Sequence, residues 1–275
     1  MIHFTDDEFK RLRDYIISQY GIDLTKKRIL AECRMSNELE KQGIASMGEF
    51  LDRMESDRTD QLRSMLLNRL TTNYTYFMRE PAHYEYLERT ILPELGRDRK
   101  KSSFHIWSAG CSTGEESYTI VMMLKNFERT GGWLPPYSVK GTDISERAVN
   151  LAKAGRYPVS ELEHLPEAWR QSYTAVEPDG RHFTVSPGVK EKAEFLCMNL
   201  LKPYGGIGEY DLIFCRNVMI YFDEESRKKL LEALYRALKP DGRLFVGHTE
   251  LLPRNHQLFE YICPAVYKKR TAAYG

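Results

Sequence analysis

A chain of 275 residues can hold two domains, and 42% hydrophobic with 29% charged residues is the balance of a globular protein. The net charge of +1 removes any global attraction to nucleic acid or an anionic membrane. The opening Met-Ile-His-Phe-Thr-Asp-Asp lacks the basic and apolar regions of a secretory signal, and no apolar run approaches the ~20 residues that span a bilayer.

Residues 1–72 read as helices only. Thr5-Asp-Asp-Glu8 is a capping box ahead of Phe9, Leu12, Ile16 and Ile17 at helical spacing, and Gly21 stops the run. A second helix is expected from Thr25 to Gly43, with Ile29, Leu30, Cys33 and Leu39 on its buried face. Ser46-Met-Gly-Glu49 repeats the capping box before Phe50, Leu51 and Met54. A fourth helix, Thr59 to Leu70, carries Leu62, Met65, Leu66 and Leu70. Four short helices make a bundle that needs a partner surface to be stable. Lys27, Arg34 and Lys41 recur every seven residues, a spacing that drifts only ~20° per step, so they share one stripe. That stripe is either a solvated face, broken by Glu32, Glu38 and Glu40, or a docking strip for an acidic partner helix.

The connector Thr71-Thr-Asn-Tyr-Thr-Tyr-Phe-Met-Arg-Glu-Pro81 is polar and aromatic, without the glycine and serine of a flexible linker. It is a packed hinge or part of a site, since domain junctions favour ligand pockets. Pro81 then opens a helix through Tyr84, Leu87, Ile91 and Leu95.

The remainder alternates strands and helices. Phe104 to Trp107 runs into Ser108-Ala109-Gly110, and Thr113-Gly114 opens a helix with Tyr118, Val121, Met122 and Leu124 apolar. Strand, glycine turn and helix let a backbone approach a nucleotide-like ligand. A dinucleotide fingerprint would need glycine where Ser112 stands, and Glu115 and Glu116 in the first helical turn would repel a phosphate. An adenosine without a phosphate fits better, and S-adenosylmethionine is the common one. Tyr137 to Asp143 is a second strand ending in an acid, placed to accept from both ribose hydroxyls or, alternatively, to cap the helix that follows, a role open to Ser145.

From Gly155 to about Lys192 four prolines break the pattern. Tyr173 to Val176 and Arg181 to Val185 pair across Glu177-Pro-Asp-Gly180, giving a small β insert at about 157–192. Glu194 to Cys197 resumes the sheet and ends in Met198-Asn199-Leu200. Tyr210 to Cys215 is a buried parallel strand ended by Arg216-Asn217, and Val218 to Phe222 leads into a helix from Asp223 to Leu238. Lys239-Pro-Asp-Gly242 reads as a tight turn into Arg243 to Gly247, and Phe259 to Ile262 with Ala265 to Lys268 form a closing hairpin. His248 reads as a structural polar residue and Trp107 as packing beneath the glycine turn. Five scattered cysteines and seven dispersed histidines show neither C-x-x-C nor zinc spacing, as expected of a cytoplasmic protein with reduced thiols and no metal. The fold class is therefore α/β. A Rossmann-like, mostly parallel sheet (101–275), with a C-terminal antiparallel hairpin and a β insert, follows an all-α domain (1–72) and a connector with its helix (73–100).

Asn73-Tyr-Thr-Tyr-Phe-Met-Arg79, Trp107-Ser-Ala-Gly-Cys-Ser-Thr-Gly-Glu-Glu116, Gly141-Thr-Asp-Ile-Ser145, Cys215-Arg-Asn-Val-Met-Ile-Tyr-Phe222 and Leu238-Lys-Pro-Asp-Gly242 stand in this order. Together, over nearly the whole chain, they resemble the chemotaxis-receptor glutamate O-methyltransferases of the CheR type. The resemblance implies S-adenosylmethionine contacts from Asn73, Thr75, Arg79, Glu115, Asp143, Asn199, Leu200, Arg216 and Asn217. It implies methyl transfer to glutamates on the cytoplasmic helices of bacterial chemoreceptors, by a cytoplasmic monomer. Relatives carry a denser basic run on the second helix, where this chain has Asn37, Glu38 and Glu40.

A glutamate acceptor, with a reference pKa of about 4.3, is ionised at neutral pH and needs no general base. The absence of a His/Asp or Cys/His arrangement in the sequence agrees with this. Tyr221 is placed either to direct its hydroxyl at the acceptor, as the resemblance supports, or to pack between strand and helix. Arg79 is placed to pair with the methionine carboxylate or the acceptor.

Overall fold

Thr5 and Ser46 start two N-terminal helices by side-chain caps. In the computed structural model, which describes residues 2–202 and 208–271, Thr5 Oγ1 accepts from the Glu8 N–H, and Glu8 returns the bond to the Thr5 N–H. This opens α1 (Asp6–Tyr20), which Gly21 ends in the left-handed conformation. Helices α2 (Arg28–Lys41), α3 (Met47–Ser56) and α4 (Gln61–Leu70) complete the bundle around Leu12, Ile16, Met35, Leu39, Phe50 and Met54. Ser46 caps α3 through the Glu49 N–H, but Glu49 turns back to the Ala45 N–H, one residue short of a full capping box.

The face that α2 buries differs from the sequence expectation. Leu39 is buried, but Ile29, Leu30 and Cys33 are exposed, and Ala31, Glu32, Met35 and Ser36 lie inside. Glu32 is tolerated there because it accepts from the Phe4 N–H and Arg28 Nε, while Ser36 takes the Ile2 N–H. The N-terminal segment thus supplies donors that turn a polar face inward.

Between the domains, α5 (Pro81–Tyr86) continues through a π turn (Leu87–Ile91) into α6 (Leu92–Arg97). The sheet then begins with β1 (Phe104–Ala109), α7 (Glu115–Arg129), β2 (Tyr137–Asp143) and α8 (Glu146–Ala154), the last capped by Ser145. The insert consists of β3 (Arg156–Pro158), α9 (Glu167–Tyr173), β4 (Thr174–Val176), β5 (His182–Val185) and α10 (Pro187–Lys190). Its strands run in the antiparallel order β3-β5-β4, one strand more than the turn signal predicts. The chain returns through β6 (Ala193–Cys197), β7 (Tyr210–Cys215), α11 (Glu224–Ala237), β8 (Leu238–Val246), β9 (Phe259–Cys263) and β10 (Val266–Lys269).

The seven strands lie in the order β6-β2-β1-β7-β8-β10-β9. The first five are parallel neighbours, and β10 runs antiparallel to both β8 and β9. Residues alternate between two cores. Ile106, Leu212, Phe214 and Phe245 face α5 to α7, while Trp107, Ile213, Leu244 and Val246 pack with Leu230 and Leu234 of α11. The predicted turn Lys239-Pro-Asp-Gly242 instead lies within β8, as an irregularity at which Asp241 takes a positive φ of 64° and the register against β7 shifts. The sequence of β1 switches neighbours from β2 to β7, and ligands of open α/β sheets bind at such a switch point, beyond the carboxyl ends of the strands.

Short backbone contacts dock the helical domain beside that point. Ile22 bridges Phe222, the Asp23 N–H reaches the Tyr221 carbonyl at 2.8 Å, and the Asp223 N–H reaches the Gly21 carbonyl at 3.1 Å. Gly21 makes this approach possible: a Cβ there would lie 2.4 Å from Leu201 Cδ1 and 2.5 Å from Ser226 Oγ. With its φ of 67°, Gly21→Ala is expected to destabilise the protein by at least about 1–2 kcal/mol, read as a lowered urea midpoint.

Candidate active site

Beyond the tips of β1, β2, β6 and β7 lies a cleft, partly open to solvent and walled by both domains. Each wall follows from local chain geometry. Ala109 ends β1, and Gly110, at a φ of 85°, turns the backbone so close to Val218 that a Cβ would lie 2.3 Å from its Cγ2. Ser112 also has a positive φ, and its Oγ donates to the Asn73 carbonyl at 2.8 Å, joining the turn to the connector. Asp143, at the end of β2, accepts from the Ser112 N–H at 2.8 Å and the Ser145 N–H at 2.9 Å. Burial holds its pKa above the ordinary range despite those bonds. Ser145 caps α8, so Asp143 is not needed for that task.

Arg216 occupies the centre. Its guanidinium is buried and donates to Glu116 Oε2 at 3.0 Å, Glu80 Oε2 at 3.3 Å, the Tyr84 hydroxyl at 3.1 Å and the Arg79 carbonyl. Burial opposes the charge on Arg216, but Tyr84, Glu116 and Glu80 more than compensate, and its pKa is raised. Burial likewise opposes ionisation of both acids. Arg216 and Asn217 hold Glu80 below the ordinary carboxylate range, while the deeper Glu116 stays above it. Glu80 Oε1 accepts from Asn217 Nδ2 at 3.2 Å.

The connector is a packed hinge and a wall at once. Asn73 Nδ2 reaches Ser145 Oγ at 3.2 Å, and the Met78 N–H reaches Thr119 Oγ1 at 3.3 Å. Arg79 donates to the Tyr74 carbonyl at 2.8 Å and lies 5.9 Å from the ring centres of both Tyr74 and Tyr76.

Of the residues singled out in the sequence, Asn73, Thr75, Arg79, Asp143, Asn199, Leu200, Arg216, Asn217 and Tyr221 all line the cleft. Glu115 does not; the neighbouring Glu116 does. Helical phase explains the exchange, because successive residues of α7 point about 100° apart. Glu115 is buried against the Thr113 hydroxyl, 2.7 and 2.8 Å from its two oxygens. Sequence reading also missed Tyr20, Ile22, Leu24 and Leu30 of the helical domain, which form the wall opposite the strand tips.

The basic residues of the second helix part company. Lys27 lines the cleft with its Nζ 4.7 Å from the Tyr221 ring centre, and burial lowers its pKa. Arg34 instead donates to the Leu70 and Thr71 carbonyls at 3.0 and 3.2 Å and to Thr72 Oγ1 at 3.0 Å, tying α2 to the end of α4 and the start of the connector. Lys41 pairs with Glu38 at 3.5 Å.

Strand order, the glycine turn and an acid at the end of β2 define the fold of S-adenosylmethionine-dependent methyltransferases. The CheR methyltransferase SAM binding domain matches residues 73–267, and the CheR methyltransferase all-alpha domain matches residues 7–71. The chain belongs to the CheR methyltransferase family. It is 38% identical over 273 residues to the chemotaxis protein methyltransferase of Borreliella burgdorferi, covering 98% of this chain and 96% of that one. It is 34% identical to chemotaxis protein methyltransferase 1 of Pseudomonas aeruginosa, covering 96% and 98%, and 34% identical to the chemotaxis protein methyltransferase of Escherichia coli, covering 90% and 85%.

The donor set fits the nucleoside. An acid at the β2 tip suits a ribose diol, and the arginine and glutamate side chains on the wall suit an amino acid's carboxylate and ammonium. Among the described residues no helix is long and apolar enough to cross a membrane, and all five cysteines are free.

Burial raises the Glu115 pKa from 4.5 to about 7, with the Thr113 hydroxyl offsetting only part of the cost. Between these values the folded protein keeps a proton that the unfolded chain has lost, so this group's contribution to stability falls as pH rises through the window. At pH 8 the wild type is expected to have lost roughly 2.5 kcal/mol more than Glu115→Gln, relative to pH 5. Urea denaturation of both proteins at the two pH values measures the difference.

Proposed function

We propose that this protein transfers a methyl group from S-adenosylmethionine to glutamate side chains on the cytoplasmic helices of bacterial chemoreceptors, forming methyl esters that tune adaptation. The carrying observation is the single cleft that brings Arg79, Asp143, Glu116, Tyr221 and Lys27 together at the domain junction. The names of the relatives place such enzymes in chemotaxis. On this reading the enzyme works in the cytoplasm, where those helices lie.

When bound, the donor supplies an electrophilic methyl carried by a sulfonium. Asp143 would accept from the ribose hydroxyls, with Asn199 and Leu200 on the same wall. Asn73, Thr75, Arg79, Arg216 and Asn217 would hold the amino-acid end, Arg79 facing its carboxylate and Glu116 its ammonium. Glu115 would act at one remove, by fixing Thr113 at the turn. The acceptor carboxylate arrives ionised, so no residue of this chain has to remove its proton. The enzyme's task is to align the carboxylate with the methyl and strip water from it. Tyr221 and Lys27, adjacent on the cleft wall, supply a hydroxyl and a cation suited to that carboxylate. An acidic receptor helix would lie along α2, with Lys27 at the opening, while Arg34 keeps the connector in place.

The test is incubation of the purified protein with labelled S-adenosylmethionine and receptor helices, followed by alkali. Label released as methanol marks a glutamate ester; alkali-stable label would point to another acceptor. In the same assay Arg79→Ala is expected to lose at least tenfold in donor binding or turnover, about 1.4 kcal/mol. Tyr221→Phe should slow turnover while leaving donor affinity intact, and a normal rate would reduce Tyr221 to a packing aromatic.

A further inference from the structure

The segment Gly247-His-Thr-Glu250, just past β8, contributes nothing to the wall of the cleft, yet it holds one end of it. Glu250 is 8% exposed. Its Oε2 accepts from the Asn217 N–H at 2.6 Å and from the Gly247 N–H at 2.9 Å, and its Oε1 accepts from the Ile220 N–H at 3.1 Å. Asn217 and Ile220 belong to the turn between β7 and α11 that delivers Arg216, Asn217 and Tyr221 to the cleft. That turn has too few residues in a regular ladder to fix itself, so its N–H groups need an outside acceptor.

Asn217 shows how firmly the turn is held. Its φ of 58° lies in the left-handed region, which asparagine enters more readily than other L residues, and two partners hold it there. Glu250 grips its backbone N–H from one side, and Glu80 grips its side-chain amide from the other. Gly247 provides the clearance: a Cβ there would lie 2.6 Å from Glu250 Oε2 and 2.9 Å from the Asn217 nitrogen. Bonds from backbone N–H groups to an ionised carboxylate are short and about twice as strong as neutral ones.

We propose that Glu250 is a positioning residue for methyl transfer, clamping the β7–α11 turn so that Asn217 and Tyr221 meet donor and acceptor in register. The role in catalysis rests on the methyltransferase reading above; the clamp itself does not. Glu250 acts through the turn and touches neither reactant. A glutamine of the same shape keeps only one accepting oxygen and turns an amide N–H toward a backbone N–H. At least one of the three bonds is then lost, and misplacement of a positioning group by about 1 Å can cost on the order of a hundredfold in rate.

The experiment is amide hydrogen exchange and turnover on the full-length Glu250→Gln protein. Exchange at Asn217 and Ile220 should speed up at least tenfold, with Ile213 in β7 and Leu244 in β8 unchanged, and methyl transfer should fall at least tenfold. Unchanged exchange at Asn217 and Ile220 would overturn the clamp. Protection lost equally across β7 and β8 would make Glu250 a general stabiliser and overturn its positioning role, as would faster exchange with normal turnover. Should Glu250→Gln fail to fold, Gly247→Ala, which crowds the same carboxylate, must reproduce the local loss of protection for the proposal to stand. If the wild type methylates no receptor helix, the functional reading fails, while the exchange pattern still decides the clamp.

Discussion

One buried cation organises the whole junction. Arg216 stands at the tip of β7 and reaches the connector at Arg79 and Glu80, α5 at Tyr84 and α7 at Glu116. A guanidinium taken out of water is costly unless its donors are met, and here four groups from three separate elements meet them. Such an arrangement fixes register: slide the connector by one residue and Glu80 loses its counter-charge, while Arg216 loses the Arg79 carbonyl. The connector is therefore at once a packed joint and a wall of the cleft, without a glycine or serine to loosen it.

The chemistry of the cleft follows from that frame. Its floor is acidic and backbone-rich, suited to hydroxyls and an ammonium, while the helical domain closes the far side with Lys27 and apolar side chains. Lys27 of the helical domain thus stands against Tyr221 of the sheet domain on the far wall. The Gly21–Asp23 strip, hydrogen-bonded to Tyr221 and Asp223, keeps the two in register. A reaction that needs alignment and dryness more than proton transfer suits a site whose principal charges are fixed by structure.

How much of this was legible depended on the range of the interaction. The Thr5 cap, the glycine turn after β1, the acid ending β2 and the closing hairpin are local patterns, and the chain adopts them where the residues announce them. The buried face of α2 was not legible, because Glu32 and Ser36 go inside to meet N–H groups some thirty residues away. That Glu116 rather than Glu115 faces the cleft is a matter of helical phase, which adjacent identical residues cannot reveal. Lys239-Pro-Asp-Gly242 carries the composition of a turn, yet the flanking Leu238 and Arg243 both pair with β7 and make it a bulge within one strand. Glu250 had no local signal at all; its three donors come from a turn thirty residues earlier and from its own approach.

The proposed function stands on this junction gripping a sulfonium nucleoside between connector and strand tips. Titration calorimetry of the intact protein with S-adenosylhomocysteine, the demethylated product, addresses it without requiring any acceptor. Saturation at one equivalent with a submillimolar dissociation constant is expected. Absence of binding at that level would contradict it.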